Sequence, residues 1–249
     1  MRVAVLADIH GNLPALEAVL TEIDQLGVDR LVLNGDIAGG PLAGETIDRL
    51  AKLGDRAIWI HGNGERGLVA GVDRSVDPTA NEYDLEVGRL LSRPQRDRLA
   101  SLPMTVTLEV DGLGTVLCCH ATPRRDDEML LVDSPPSRYA EVLAEVITDV
   151  VVLGHTHMPF DRLHDRRRVV NPGSVGMPYG HAGAAWALLG PVVELRRTAY
   201  DPAAAAGLLA ASPWLRAAWW AETFVRQQAS DVEALETFTK IARDQQQTE

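Results

Sequence analysis

Seven residues stand out by chemical type and by place: Asp8, His10, Asp36, Asn63, His120, His155 and His157. They offer carboxylate, imidazole and amide donors, without a thiolate, and five short apolar runs end in them. A lone aspartate after such a run commonly makes a turn or caps a helix, and a lone histidine is commonly a satisfied core imidazole. An ordered set at the ends of separate runs points instead to cations that accept nitrogen and oxygen donors, such as Mn, Fe, Zn or Co rather than Ca or Cu. The set exceeds one catalytic zinc, which takes three protein ligands and a water. It suits two cations about 3.5–4 Å apart that stabilise the entering and leaving oxygens of a phosphoryl displacement. His155-Thr156-His157 carries a local expectation: in extended backbone, residues two apart point the same way, so both rings would reach one centre. In His61-Gly62-Asn63-Gly64-Glu65-Arg66 an asparagine sits between glycines, as a ligand or as a turn residue.

The elements that must position these residues are legible as periodicities. Val3–Ala7, Leu31–Leu33 and Ala57–Ile60 read as buried strands. Between them, Pro14 opens a helix closed by Gly27, and a second helix falls near 45–53. That βαβαβ pattern implies a parallel sheet with right-handed crossovers, and ligand sites in such sheets lie beyond the carboxyl ends of the strands. Residues 65–101 read as helices and loops. Thr105–Val110 and Thr115–His120 flank the turn Asp111–Gly114, a helix falls near 138–147, and Val150–Leu153 is another strand. Further strands are expected at 168–170, 184–189 and 192–197. From Pro202 onward the chain reads as helical, ending in the polar Gln245–Glu249.

A chain of 249 residues can bury a full core. Its net charge of −11 argues against non-specific binding to nucleic acid or anionic lipid. Bound cations would still admit a phosphate substrate. Cys118 and Cys119 are adjacent, which disfavours a disulfide and suits small residues at the end of a buried strand. No basic leader precedes an apolar segment and no apolar run approaches a membrane span, so a cytoplasmic location is expected.

The motifs Asp8-Ile9-His10, Gly35-Asp36, Gly62-Asn63, His120 and Gly154-His155-Thr156-His157 occur in the order found in the calcineurin-like metallophosphoesterases. Over about residues 1–190 the chain resembles that family. The resemblance implies an α/β fold, a two-sheet β-sandwich flanked by helices in four layers (αββα). It also implies that Asp8, His10 and His157 hold one metal, that Asn63, His120 and His155 hold a second, and that Asp36 bridges them. The implied reaction is in-line attack on phosphorus by a metal-bridging hydroxide, without a covalent enzyme intermediate. Manganese is the expected activator in vitro, with Fe, Zn, Co and Ni as the other fits. Residues 1–200 would form the catalytic domain and 201–249 a helical extension packed on it. The tryptophans of that extension, Trp214, Trp219 and Trp220, read first as core packing, with a homo-oligomer contact or a substrate-pocket wall as alternatives.

Two departures place the chain within the family. Gly35-Asp36-Ile37-Ala38-Gly39-Gly40 lacks the Asp-Arg pair usual in protein phosphatases and dinucleoside polyphosphate hydrolases, and looks more like the small bacterial and archaeal phosphodiesterase branch. Gly64 stands where many members have a histidine that stabilises the transition state or protonates the leaving group. His181, Arg66 and Arg124 are the candidate substitutes. The expected substrate is a phosphodiester or a small phosphorylated metabolite. The alternatives are a non-catalytic scaffold with the same fold, as in a retromer subunit, and the two activities whose motif is absent. Asn171–Gly176 is read as a turn shaping the site, and Asn12 as lying near the metals or capping the following helix.

Overall fold

The computed structural model describes residues 1–75 and 77–248; Val76, within the stretch read as helices and loops, and Glu249, at the polar end, lie outside the described residues. In chain order the strands are β1 (Val3–Leu6), β2 (Arg30–Asn34), β3 (Ala57–Ile60), β4 (Thr105–Val110) and β5 (Gly114–Cys119). They continue with β6 (Val150–Val152), β7 (Phe160–His164), β8 (Arg167–Asn171), β9 (Ala184–Leu189) and β10 (Val193–Thr198). The helices are α1 (Leu13–Leu26), α2 (Ala43–Ala51), α3 (Asn63–Asp73), α4 (Glu82–Gly88), α5 (Arg93–Ala100) and α6 (Pro136–Val142). At the C-terminal end follow α7 (Pro202–Ala210), α8 (Ala217–Ala221) and α9 (Asp231–Thr248).

Two five-stranded mixed sheets result. One runs β10-β9-β1-β2-β3, with β1, β2 and β3 parallel. The other runs β4-β5-β6-β8-β7, with β5, β6 and β8 parallel and antiparallel strands at both edges. β7 adds to the strands expected from the sequence. It carries Asp161 and Arg162, and its Leu163 is 74% exposed, so no apolar signal marks this edge strand. The helix expected at 138–147 is shorter, ending at Val142.

Alternation along the strands sorts side chains into layers. Val3 and Val5 share the core between the sheets with Val116, Cys118, Val150 and Val152. Ala4 and Leu6 share the outer core with Leu16, Val19 and Ile23 of α1. On the other side, Val151 and Val169 pack with Tyr139 and Val142 of α6. Helix, sheet, sheet and helix therefore stack in four layers, and each fully buried Val or Leu contributes about 1.5–3 kcal/mol. The same alternation puts Cys118 in the inter-sheet core and Cys119 in the outer one; both thiols are free and buried. Burial pushes the Cys118 thiol up to about 12.

α7, α8 and a π-helical turn at Glu222–Arg226 bring Leu209, Trp214, Trp220 and Val225 into the outer core of the first sheet. Trp219 is 45% exposed. α9 packs Ala234 against Leu131 and Met158. No helix among the described residues is long and apolar enough to cross a membrane.

Candidate metal centre

The carboxyl ends of the parallel strands in both sheets meet at one edge of the sandwich, and backbone hydrogen bonds lock their exit loops together. Asp8 N–H donates to the Gly35 carbonyl at 3.1 Å and His10 N–H to the Asp36 carbonyl at 2.9 Å, joining the ends of β1 and β2. Gly154 N–H donates to the His120 carbonyl, joining β6 to β5. The sheets are tied to each other by His155 N–H, which donates to Asp8 Oδ2 at 3.1 Å. The Asn171–Gly176 loop buttresses this edge: Asn171 Nδ2 donates to the Gly154 carbonyl and Ser174 Oγ to the Asp8 carbonyl. Asn12 caps α1, accepting from Ala15 N–H, and donates to the Gly176 carbonyl of the buttressing loop.

Among the described residues, seven non-glycine residues have positive φ, and five of them are candidate ligands: Asp8, His10, Asp36, His155 and His157. Such backbone is costly for side chains with a Cβ and concentrates at functional sites. It also corrects the expectation for the His-x-His pair. With φ of 65° and 57°, His155 and His157 are not extended, and their rings go to different clusters.

The first cluster comprises Asp8, His10 and His157, and the second Asp36, His120 and His155. Within each, one donor atom per residue lies within 4.8 Å of the others. In the first, His10 Nε2 is 3.2 Å from His157 Nε2, which is 3.3 Å from Asp8 Oδ1. In the second, His120 Nε2 is 3.4 Å from Asp36 Oδ1 and 3.2 Å from Asn63 Oδ1. Asp36 lies between them, its Oδ2 being 3.8 Å from His10 Nε2. Asn63 is the first residue of α3, so it both starts a helix and presents its amide to the second cluster.

Two histidines are fixed by backbone carbonyls. His120 Nδ1 donates to the Asn34 carbonyl at 2.9 Å and His157 Nδ1 to the Met177 carbonyl at 3.0 Å, turning both Nε2 atoms inward. Burial alone would lower the His120 imidazole, but the Asp36 carboxylate outweighs it and raises it to about 10. The same contest, won by Asp8, raises His157. Burial lowers His10 and His155 to about 4 each, so their rings stay neutral. Burial works to raise the Asp36 carboxyl, yet His120 holds it well below the usual carboxylate range.

The donor set fits divalent cations. His155 Nε2 is buried and has no hydrogen-bond partner among the described residues. His10 and His157 face each other nitrogen to nitrogen, a contact that a shared cation satisfies better than a single proton. Neutral imidazole, carboxylate and amide oxygen are the ligand types that Mn, Fe, Zn and Co accept.

Glu65 belongs to the site as well, though its residue type alone does not mark it. Its buried carboxylate accepts from Gly62 N–H at 2.7 Å and from Asp36 and Ile37 N–H at 2.8 Å each, clamping the ends of β2 and β3 together. Burial, reinforced by Asp36, pushes it up to about 7. The available signal was its place three residues after Gly62, where a helix's third residue bonds back to the cap. Gly64 has a positive role here. Its N–H donates to Asp36 Oδ1 at 2.8 Å, and an added Cβ would lie 2.9 Å from that oxygen. Asp84, buried on α4 against Gly39 and Gly67, is raised well above the usual carboxylate range by burial and then by Asp36 and Glu65. No sequence pattern marks it.

The three candidate substitutes for a leaving-group acid are placed otherwise. Arg66 is held by Asp126, Asp127 and Thr79, and Arg124 by Glu128 and Glu141. His181 is exposed.

Residues 1–190 match the sequence model of the calcineurin-like phosphoesterase superfamily domain. An uncharacterised protein of Methanocaldococcus jannaschii, MJ0912, is 29% identical over 198 residues, covering 71% of this chain and 76% of that protein. The phosphodiesterase YfcE of Escherichia coli K12 is 25% identical over 198 residues, covering 76% of this chain and 87% of YfcE. Among solved structures, a metallophosphoesterase from Sphaerobacter thermophilus aligns with a TM-score of 0.67 at 26% identity, covering 84% of this chain and 92% of its own. The hypothetical protein PH1004 of Pyrococcus horikoshii shares the fold, with a TM-score of 0.74 at 22% identity over 92% of this chain and 99% of that one. With the family match spanning residues 1–190, the chain belongs to the calcineurin-like phosphoesterase superfamily.

Proposed function

We propose that this protein is a dinuclear metal-dependent phosphodiesterase acting on small phosphodiesters. The observation that carries this reading is the placement of Asp36 between two donor clusters, with one oxygen toward His10 and the other toward His120. The similarity to a phosphodiesterase supports the ester class. Asp8, His10 and His157 would hold one cation, Asn63, His120 and His155 the other, and Asp36 both. Bound there, the cations would supply positive charge for the phosphoryl oxygens and lower the pKa of a water for in-line attack.

The chain's own part is positioning. The Asn34 and Met177 carbonyls accept the Nδ1–H of His120 and His157, so that Nε2 would offer its lone pair to a cation that displaces the Nε2 proton. Gly64 N–H and the Glu65 clamp hold Asp36. No side chain at position 64 can protonate a leaving group, so esters with stable leaving anions are the expected substrates. We read residues 1–200 as the catalytic unit and the helices that follow as an extension of it, supported by their shared core.

Purified protein supplied with Mn²⁺ should hydrolyse bis(p-nitrophenyl) phosphate, and should prefer simple diesters to phosphopeptides and diadenosine tetraphosphate. Absence of turnover with Mn, Ni, Co, Fe and Zn alike would overturn the reading. A scaffold without catalysis would also purify with its centre free of metal after metal supplementation.

A further inference from the structure

A cavity of about 230 Å³ lies between the loop after β8 and the C-terminal helices, and its walls include Met177, Tyr179, Phe224, Gln228, Ala234 and Phe238. Two contacts tie it to the first cluster. The Met177 carbonyl accepts from His157 Nδ1, and the Tyr179 ring stacks on the His157 ring with centroids 5.7 Å apart and planes at 25°. One short segment therefore orients a candidate ligand and also lines the cavity. Three walls are aromatic, set among the polar Thr223, Gln227, Glu233 and Thr237: Phe238 meets Tyr179 edge-on at 6.0 Å, and Phe224 packs on Trp219 and Trp220 at 5.6 Å each.

Such walls favour a flat ring, which can stack offset on one aromatic face and meet another edge-on. The size agrees, since a cavity of about 150 Å³ already holds benzene. Among the polar walls, Gln228 adds selectivity. Gln228 Nε2 is buried without a hydrogen-bond partner among the described residues, so it offers a donor to a ligand that brings an acceptor.

We infer that this cavity takes a planar aromatic ring bearing a hydrogen-bond acceptor, as one ester group of the phosphodiester. The inference rests on the phosphodiesterase reading for where the phosphate sits. It gives the C-terminal helices, which lie beyond the residues matched to the family, the task of choosing the substrate.

The test uses three diesters that all release p-nitrophenolate and differ only in the second ester group: methyl, phenyl and thymidine-5′. Leaving-group chemistry is then constant. The phenyl and thymidine esters should exceed the methyl ester by about tenfold in kcat/KM, the thymidine ester most. Phe238→Ala and Phe238→Leu should bring both ratios to within about twofold of one. Gln228→Leu should lower the thymidine ratio alone. Thermal unfolding of each variant checks that it folds.

Equal rates for the three esters in the unaltered protein, or ratios that survive loss of the Phe238 ring, would overturn the inference. Calorimetric binding of phenylphosphonate and methylphosphonate to Mn²⁺-loaded protein separates this failure from that of the proposed function. If no ester is hydrolysed but phenylphosphonate binds about fivefold more tightly, and loses that margin in Phe238→Ala, the cavity stands and the phosphodiesterase reading falls. Equal binding of the two phosphonates overturns the cavity's role whatever the turnover.

Discussion

The two donor clusters are built on one plan and supported by different means. Each pairs a carboxylate with one histidine raised by that carboxylate and one lowered by burial: Asp8 with His157 and His10, Asp36 with His120 and His155. In the second cluster the supports come from neighbouring strand ends. Asn34 fixes His120, Gly64 holds Asp36, and Glu65 clamps three backbone amides. In the first they come from far along the chain, through Met177, Tyr179 and the C-terminal Phe238. The contrast teaches that one cluster is fixed by the sandwich edge itself, while the other is open to adjustment by whatever packs on the loop after β8.

The largest effect should come from the residue both clusters share. Asp36→Asn removes the one carboxylate charge that both clusters share, and should lower kcat more than the 10–100-fold loss typical of an outer positioning residue, to about 10³-fold or beyond. His181→Ala, on an exposed loop residue, should leave turnover within about twofold of the unaltered protein, because surface changes away from a site are small.

Glu65→Gln is the next test, and it separates the clusters by their supports. A glutamine presents one oxygen and an NH₂ to three N–H donors, leaving at least one unsatisfied at a cost of about 1–3 kcal/mol. Thermal unfolding should show that loss. Metal affinity should fall at the second cluster more than the first, read from the two steps of a calorimetric titration.

The pH dependence sharpens the shared plan. His120 and His157 have folded pKa values above the usual 6.5, so the stability they lend the metal-free protein is present below pH 6.5 and is lost as pH rises, for His120 through about 10. His10 and His155 are depressed to about 4, so their contribution is present above 6.5 and is lost as pH falls toward 4. Among these four groups the metal-free protein is therefore best served near pH 6.5, and unfolding midpoints should decline on either side. Metal affinity should instead keep rising with pH above 6.5, by about tenfold per unit for each proton displaced. Affinity that is flat between pH 6 and 8 would contradict this.

The smallest expected effect among residues of the site itself is that of Gly64→Ala. Its methyl would press on Asp36 Oδ1 and tilt it, lowering kcat by about tenfold without unfolding the protein.

Much of the site was readable because strand ends are readable. Asp8, Asp36, Asn63, His120 and the histidine pair each close an apolar run, and parallel pairing carries those ends to one edge. What was not readable was backbone conformation. Positive φ at His155 and His157 is imposed by the hydrogen-bonded loops around them, not by residue type, and it sends the two rings apart. Glu65 had a local signal in its helix position, but its hold on Asp36 and Ile37 depends on two strands meeting. Tyr179 and Phe238 had none, since their contact joins a loop to a helix that the sequence brings together only through the finished fold. β7 was hidden for a similar reason: an edge strand needs only a partner's backbone, so its side chains need not alternate.

In the proposed function two cations act together at one centre. The direct measurement is a titration of Mn²⁺ into metal-free protein, following bis(p-nitrophenyl) phosphate hydrolysis and bound metal together. Turnover should be absent without metal, and activity should level off at two bound cations per chain. In Asp36→Asn, turnover should be lost throughout the titration. Hydrolysis by the metal-free protein, or full activity with a single cation bound, would contradict the proposed function.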